Sequence, residues 1–98
     1  MSRPTQRLEL LNNVAATGSW MQWPGGRGTF AVEGTFDGAT VTLQFQGPNA
    51  TAIAAGPYTT LTANGAGNFD LPPVLVRAAV SGGSSPAALY ATAVRFDI

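Results

Sequence analysis

The chain has 98 residues, of which 45% are hydrophobic and 10% are charged, and five arginines balance five carboxylates without any lysine. The charged share lies far below the about 25% of typical domains, and the hydrophobic share is too high for a disordered segment, so a folded domain is expected. A neutral chain with scattered arginines lacks the basic stripe that nucleic-acid-binding proteins usually carry. We therefore predict no nucleic-acid partner.

The first six residues, MSRPTQ, form a polar stretch that contains Arg3 and precedes the first predicted strand. We expect residues 1–6 to be an N-terminal arm, and the sequence leaves open whether it is ordered: such an arm is usually disordered in a monomer and can be ordered by lying on a neighbour in an assembly. Neither the apolar core of a signal peptide nor a run of 18 apolar residues is present. The sequence therefore predicts no membrane partner, synthesis in a cytoplasm, and one domain over residues 7–98.

Short segments rich in Val, Thr, Phe and Leu alternate with clusters of Gly, Pro and Asn at spacings of roughly 8 to 12 residues. These regularly spaced turn residues predict an all-β fold. In no segment do apolar residues recur every three to four positions, as they would in a long helix. Residues 50–55 are compatible with either one helical turn or an extended segment. We predict an antiparallel β-sandwich of about eight short strands with jelly-roll or Ig-like connections. The predicted strands cover residues 7–14, 19–23, 29–36, 39–46, 58–62, 68–71, 74–81 and 89–96.

Strict alternation identifies the inward-facing residues of two of these strands. In residues 39–46, ATVTLQFQ, the apolar side chains share one face and the Thr and Gln side chains share the other. The pair Asp37-Gly38 separates this strand from the preceding one and predicts a type I′ hairpin. The predicted core consists of Leu8, Leu10, Phe30, Val32, Phe36, Val41, Leu43, Phe45, Leu61, Phe69, Val76, Val80, Tyr90, Val94 and Phe96.

Residues 20–28, WMQWPGGRG, contain both tryptophans. The glycines do not match a phosphate-binding loop, and the segment that follows is a predicted strand where such a loop needs a helix. Trp20 and Trp23 are three residues apart and would point to opposite faces of a strand. One of them is expected inside, and the pattern leaves open which. The other tryptophan either covers the end of the sandwich or forms a docking patch with Arg27, which we place in the turn at residues 24–28.

Cysteine, histidine and lysine are absent, which excludes disulfides, thiolate or imidazole ligands and the common nucleophile pairs. Asn64, Asn68 and Asp70 lie close together, but one carboxylate in a Gly/Asn segment is more typical of a turn than of a calcium site. Acid–base catalysis would need two converging carboxylates, as in a small hydrolase. We predict a protein that is not an enzyme, with no metal, cofactor or small-molecule substrate.

Three segments carry a resemblance to a known class of proteins: GSWMQWPGGRGTFAVEGTFDGATVTLQFQG, LTANGAGNFDLPPVLVRAAVSG and ALYATAVRF, which together extend from residue 18 to 96. The pair G-T-F-x-G-A-T-V-T-L-Q and L-P-x-x-x-x-R-A-x-V-S-G resembles small β-sandwich virion proteins of tailed bacteriophages. The resemblance implies a structural protein of a phage particle, such as a capsid decoration or cement protein, and it transfers no catalytic residue.

The expected function is therefore non-enzymatic binding to the capsid surface or to further copies of the chain, in a virion made in the cytoplasm of a bacterial host. The expected partners are the major capsid protein or other virion subunits, and the chain is expected to be a homo-oligomer. The candidate partner-binding residues are Arg3, Trp20, Trp23 and Arg27. The alternative is a carbohydrate- or host-surface-binding module, such as a head fibre or tail component, that uses an exposed tryptophan.

Overall fold

Nine strands make up the described part of the chain in a computed structural model, which describes residues 7–56, 58–83 and 86–95. Those residues contain no helix, and hence none that could cross a membrane. The strands are β1 (Arg7–Val14), β2 (Met21–Trp23), β3 (Gly26–Thr35), β4 (Ala39–Gln46), β5 (Ala52–Ala54), β6 (Thr60–Leu61), β7 (Gly65–Leu71), β8 (Val74–Gly82) and β9 (Ala87–Arg95).

The strands form two antiparallel sheets that pack face to face, which confirms the predicted all-β sandwich. Sheet A has the order β1-β9-β3-β7. Sheet B has the order β2-β8-β4-β5, and β6 pairs with β4 beside β5. Apolar side chains from both sheets fill the space between them, as alternation along half-buried strands requires.

The pairing scheme is that of one long hairpin rolled into a barrel-like sandwich. Starting from the turn at residues 47–51, β4 pairs with β5 and β6, β3 with β7, β2 with β8, and β1 with β9. Rolling this ladder brings β9 beside β3 and β8 beside β4, which are the two remaining pairings. Of the predicted alternatives, the strand order is therefore the jelly roll.

The turn at Asp37 and Gly38 corrects one prediction. Both residues have positive φ, 48° and 86°, and the Ala39 amide donates to the Phe36 carbonyl at 2.9 Å, as in a type I′ turn. The flanking strands nevertheless belong to different sheets, so the predicted hairpin is wrong. The turn reverses the chain locally, but the buried faces of the two strands oppose each other across the core.

The hairpin that does join neighbouring strands lies at residues 47–51, beside the segment that the sequence left ambiguous. The Gly47 amide donates to the Thr51 carbonyl at 2.8 Å, and Ala50 has a φ of 60°. Residues 52–54 are extended and pair with β4, so the helical alternative for this segment is wrong.

The core lies between the sheets and contains most of the predicted residues. Those found buried are Leu10, Phe30, Val32, Phe36, Val41, Leu43, Phe69 and Val76. Those found half-buried and packed against this cluster are Leu8, Phe45, Leu61 and Val80. Phe96 lies outside the described residues.

Strand β9 presents the opposite face from the one predicted. Its inward residues are Leu89, Ala91 and Ala93, all fully buried, whereas Tyr90 is 42% exposed and Val94 is half-buried outside the core cluster. Side chains alternate between the two faces of a strand, so assigning the larger ones to the core exchanged the predicted inward and outward faces of the whole strand. The prediction of Tyr90 and Val94 as core residues is therefore wrong.

Trp23 joins the two sheets at one corner of the sandwich. It is fully buried, and its ring lies 4.9 Å from that of Phe69, centroid to centroid. Gly28 leaves the space for this contact, because a Cβ atom there would lie 2.7 Å from the Trp23 ring and 2.8 Å from the Val94 carbonyl oxygen. The indole N–H donates to the Gly26 carbonyl at 3.4 Å.

This close approach predicts that Gly28→Ala lowers the free energy of unfolding by about 1–3 kcal/mol, the usual cost of overpacking a core. Gly65→Ala is the matched control, because its Cβ would meet nothing nearer than 3.5 Å. Urea denaturation of both variants provides the measurement. Equal stability of the two variants would contradict the role assigned to the Gly28 contact.

Candidate functional site

Charged side chains are distributed unevenly between the two sheets. Among the described residues, β1 and β3 carry two charges each and β7 and β9 one each, so sheet A holds six. Sheet B holds one, Arg77, and Asp37 lies in the turn between the sheets. The six on sheet A are Arg7, Glu9, Arg27, Glu33, Asp70 and Arg95. The two outer faces of the sandwich therefore differ in the chemistry that they present.

The outer face of sheet B, termed here the sheet B face, consists almost entirely of neutral side chains. On β4 and β8 the register places Thr42 opposite Ala79 and Thr40 opposite Ser81. Neutral side chains cost less to remove from water than charges do, so this face is suited to contact with another protein. Its central residues are Gln22, Thr40, Thr42, Gln44, Gln46, Leu75, Arg77, Ala79 and Ser81.

Trp20, Arg77 and Gln44 form a contact across the sheet B face. The Arg77 guanidinium carbon lies 4.5 Å from the Trp20 ring centroid, and Arg77 Nε donates to Gln44 Oε1 at 3.0 Å. Arg77 and Gln44 face each other in the β4–β8 register, and Trp20 directly precedes β2, the other neighbour of β8. The guanidinium thus covers part of a large aromatic side chain. Its positive charge is stabilised by the face of the Trp20 ring and by the Gln44 amide oxygen.

The structure separates the residues that the sequence grouped as one docking patch. Trp23 is fully buried and offers no surface to a partner, while Trp20 is half-buried on the sheet B face. This confirms that the two tryptophans face opposite ways. Arg27 lies within β3 on sheet A, opposite Asp70, so it is in a strand and not in a turn. Arg3 lies outside the described residues.

No family model, curated protein or solved structure matches this chain. The resemblance to phage virion proteins therefore stays a prediction from the sequence pattern. A jelly-roll strand order is compatible with that prediction, but β-sandwiches carry many unrelated functions. The function is therefore inferred from the two outer faces of the sandwich and the groups that each presents.

A groove of about 600 Å³ crosses the outer face of sheet A and is termed here the sheet A groove. Its floor includes two short side chains, Ala31 and Thr92, which are register neighbours on β3 and β9. Its more prominent lining groups come from β1, β3 and β9 and from the residue before β7. These groups are Arg7, Glu9, Glu33, Asn64 and Tyr90.

The amide side chains near this groove have structural roles. Asn64 Oδ1 accepts a hydrogen bond from the Gly34 amide at 3.0 Å, and Asn68 Oδ1 accepts one from the Thr29 hydroxyl at 2.9 Å. The described residues contain no group of three or more His, Cys, Asp or Glu side chains that could hold a metal ion. Asn64 and Asn68 each accept a hydrogen bond from β3, the strand beside β7.

Arg77, Gln44 and Tyr90 are the site residues that sequence reasoning missed. Alternation places Gln44 on an outward face, but no pattern in the sequence shows that Arg77 lies beside it and over Trp20. That proximity depends on the pairing of β8 with both β2 and β4. Tyr90 was missed because its bulk favoured a core assignment.

The Trp20–Arg77 contact predicts that Arg77→Ala exposes one face of the Trp20 ring. Acrylamide quenching of the tryptophan fluorescence should increase, and the free energy of unfolding should fall by about 0.5–1 kcal/mol, the size of an exposed cation–π contact. Trp23 contributes an unquenched background because it is fully buried.

Arg7→Ala is the control for this experiment, since it removes an arginine from the opposite sheet. Arg77→Lys is a second comparison, because lysine keeps the charge but lacks the planar group that stacks on the ring. Unchanged quenching in Arg77→Ala would show that the guanidinium does not cover Trp20 in solution.

Proposed function

We propose that this chain is a non-enzymatic structural protein that docks into a larger assembly through the sheet B face. The observation that carries the proposal is the near absence of charge on that face. Its single charged residue, Arg77, already contacts Trp20 and Gln44 and so brings a smaller penalty on burial than a fully hydrated cation would. Trp and Arg are also the residue types most often found at energetic centres of interfaces.

The size of the face favours an assembly with many copies. In sheet B, only β4 and β8 have eight or nine residues, and β2, β5 and β6 have two or three each. At a rise of about 3.3 Å per residue and a strand spacing of about 4.8 Å, the strand residues of sheet B project roughly 400 Å². A standard interface buries about 800 Å² on each partner, so one contact through this face would be weak. Repetition of the contact by symmetry would give the binding strength that a single copy lacks.

The assembly that we propose is a phage particle, in which the chain is a capsid decoration or cement protein. The support for this step is the resemblance of residues 18–96 to small virion β-sandwich proteins. In this proposal the partners are the major capsid protein, other virion subunits and further copies of the chain. The virion is the proposed location.

The proposal of a non-enzymatic role draws support from the residue types of the chain. Without His, Cys or Lys, the common nucleophile pairs cannot form. A hydrolase would depend on carboxylates alone, and strand spacings place the Cα atoms of Glu9 and Glu33 about 12 Å apart on sheet A.

The alternative of a carbohydrate-binding module with a tryptophan platform is not favoured. Such a module needs an exposed aromatic face. Trp23 is fully buried, and the guanidinium of Arg77 lies over the ring of Trp20.

The docking proposal predicts that Ala79→Glu prevents association, because it adds an unpaired carboxylate to the centre of the sheet B face. Ala66→Glu is the matched control, since Ala66 is an outward residue on a strand of sheet A. Both variants should unfold within a few degrees of the parent protein. The measurement is the amount of each variant in purified particles of the phage that encodes the chain, by mass spectrometry and electron microscopy.

We expect the parent chain and Ala66→Glu at a symmetric copy number, and Ala79→Glu at one tenth of that level or less. Absence of the parent chain from particles would remove the virion assignment. Full incorporation of Ala79→Glu would show instead that another surface docks.

A further inference from the structure

The sheet A groove combines an aromatic ring with groups of both hydrogen-bonding types. Tyr90 is 42% exposed on the lining and stands opposite Glu33 in the β3–β9 register. An outward aromatic side chain of this size in a groove is a recurrent anchor for ligands, because its face is apolar and its hydroxyl is polar. The volume of about 600 Å³ lies within the roughly 300–1,000 Å³ of small-molecule sites.

The polar groups of the groove supply donors and acceptors in comparable number. Glu9 and Glu33 accept hydrogen bonds, whereas Arg7 donates and the Thr92 hydroxyl does both. Asn64 uses its carbonyl oxygen for the Gly34 amide, which leaves its NH₂ group to donate.

Two ligand classes fit this lining poorly. A phosphate or other anion would lie against two carboxylates. A purely apolar ligand would strip water from those carboxylates without replacing their hydrogen bonds, which is costly. A cation would meet Arg7 only beside Glu9, because Glu33 lies two strands and four register positions from Arg7, so a cationic ligand is the competing class.

A neutral ligand with many hydroxyl groups satisfies every one of these side chains. Each hydroxyl both donates and accepts, so it can bond a carboxylate and an arginine or amide in turn. The C–H face of a sugar ring would lie on the apolar face of Tyr90. The groove crosses four strands, about 14 Å at the usual strand spacing, which is longer than one sugar ring.

We propose that the sheet A groove binds a neutral oligosaccharide, with Tyr90 as the aromatic platform and Glu9, Glu33, Arg7 and Asn64 as hydrogen-bonding partners. The proposal does not depend on docking through sheet B. The groove lies on the opposite face of the sandwich, so it would remain open to solvent in a chain that is docked through the sheet B face.

The test uses the full chain and a printed array of bacterial and mammalian oligosaccharides, followed by calorimetric titration of the best-binding one. Tyr90→Ala should weaken binding roughly tenfold or more, as truncation of an anchor does. Tyr90→Phe keeps the platform and should change the affinity less than about threefold. Tyr58→Ala is the matched control, because Tyr58 is 70% exposed and does not line the groove.

Two further measurements separate this proposal from its competitors. Ala31→Phe fills the groove floor from an outward position and should abolish oligosaccharide binding in a protein that still folds, as checked by circular dichroism. A trilysine peptide tests the cationic alternative, and the expected result is no binding.

Several outcomes would overturn the proposal. These are the absence of binding across the array at millimolar concentration, oligosaccharide binding that survives both Tyr90→Ala and Ala31→Phe, and binding of trilysine alone. Loss of the docking contact in the Ala79→Glu variant would have no bearing on any of these results.

Discussion

The fold depends on one constraint, which is that nearly every strand is hydrogen-bonded to strands distant in the chain. Only β4 and β5, joined by the turn at residues 47–51, are both consecutive and paired. At most other connections the chain must cross from one sheet to the other over a core about 10 Å thick. Residues with positive φ occur at three of these crossings, at Gly25–Gly26, Asp37–Gly38 and Gly82–Gly83. Glycine supplies most of them because it adopts this conformation without strain.

The same constraint explains why the two outer faces differ. Strands β1, β3, β7 and β9 share one sheet, and their outward positions bring Arg7, Glu9, Arg27, Glu33 and Asp70 onto a single surface. The outward positions of β4 and β8 are Thr, Gln, Leu, Ala and Ser, with Arg77 as the one charged exception. Charges that look scattered along the chain are therefore segregated in space. This segregation, and not the neutral net charge, is what distinguishes the sheet B face from the charged outer face of sheet A.

The sequence predicted the features that depend on residues close together in the chain, such as strand faces and turns. It failed where the structure depends on contacts between residues far apart in the chain. The period of two in residues 39–46 identified both faces of β4, and Gly and Pro clusters located most strands. The turn residues Asp37 and Gly38 predicted the correct turn geometry but the wrong partner strand, because turn chemistry does not determine which sheet a strand joins. In β9, alanines fill the core where larger neighbours leave little room, so side-chain size misled the assignment of Tyr90. The contact of Trp20 with Arg77 depends on the β2–β8 pairing, which no local pattern reveals.

Under the proposed docking, Arg77 would reconcile the hydration of the free sheet B face with the burial of that face against a partner. Without it, the face would present a tryptophan among Thr, Ala and Gln side chains, a surface that invites association with any flat apolar partner. The guanidinium over the ring keeps the face hydrated while the protein is alone, and its planar group remains able to stack when water is removed. Because a single contact of this kind is weak, binding would favour a partner that repeats the same contact many times over a partner that offers it once. Under the proposed docking, such a face would select an ordered lattice by geometry, and the charged outer face of sheet A would stay in contact with solvent and with any ligand of the sheet A groove.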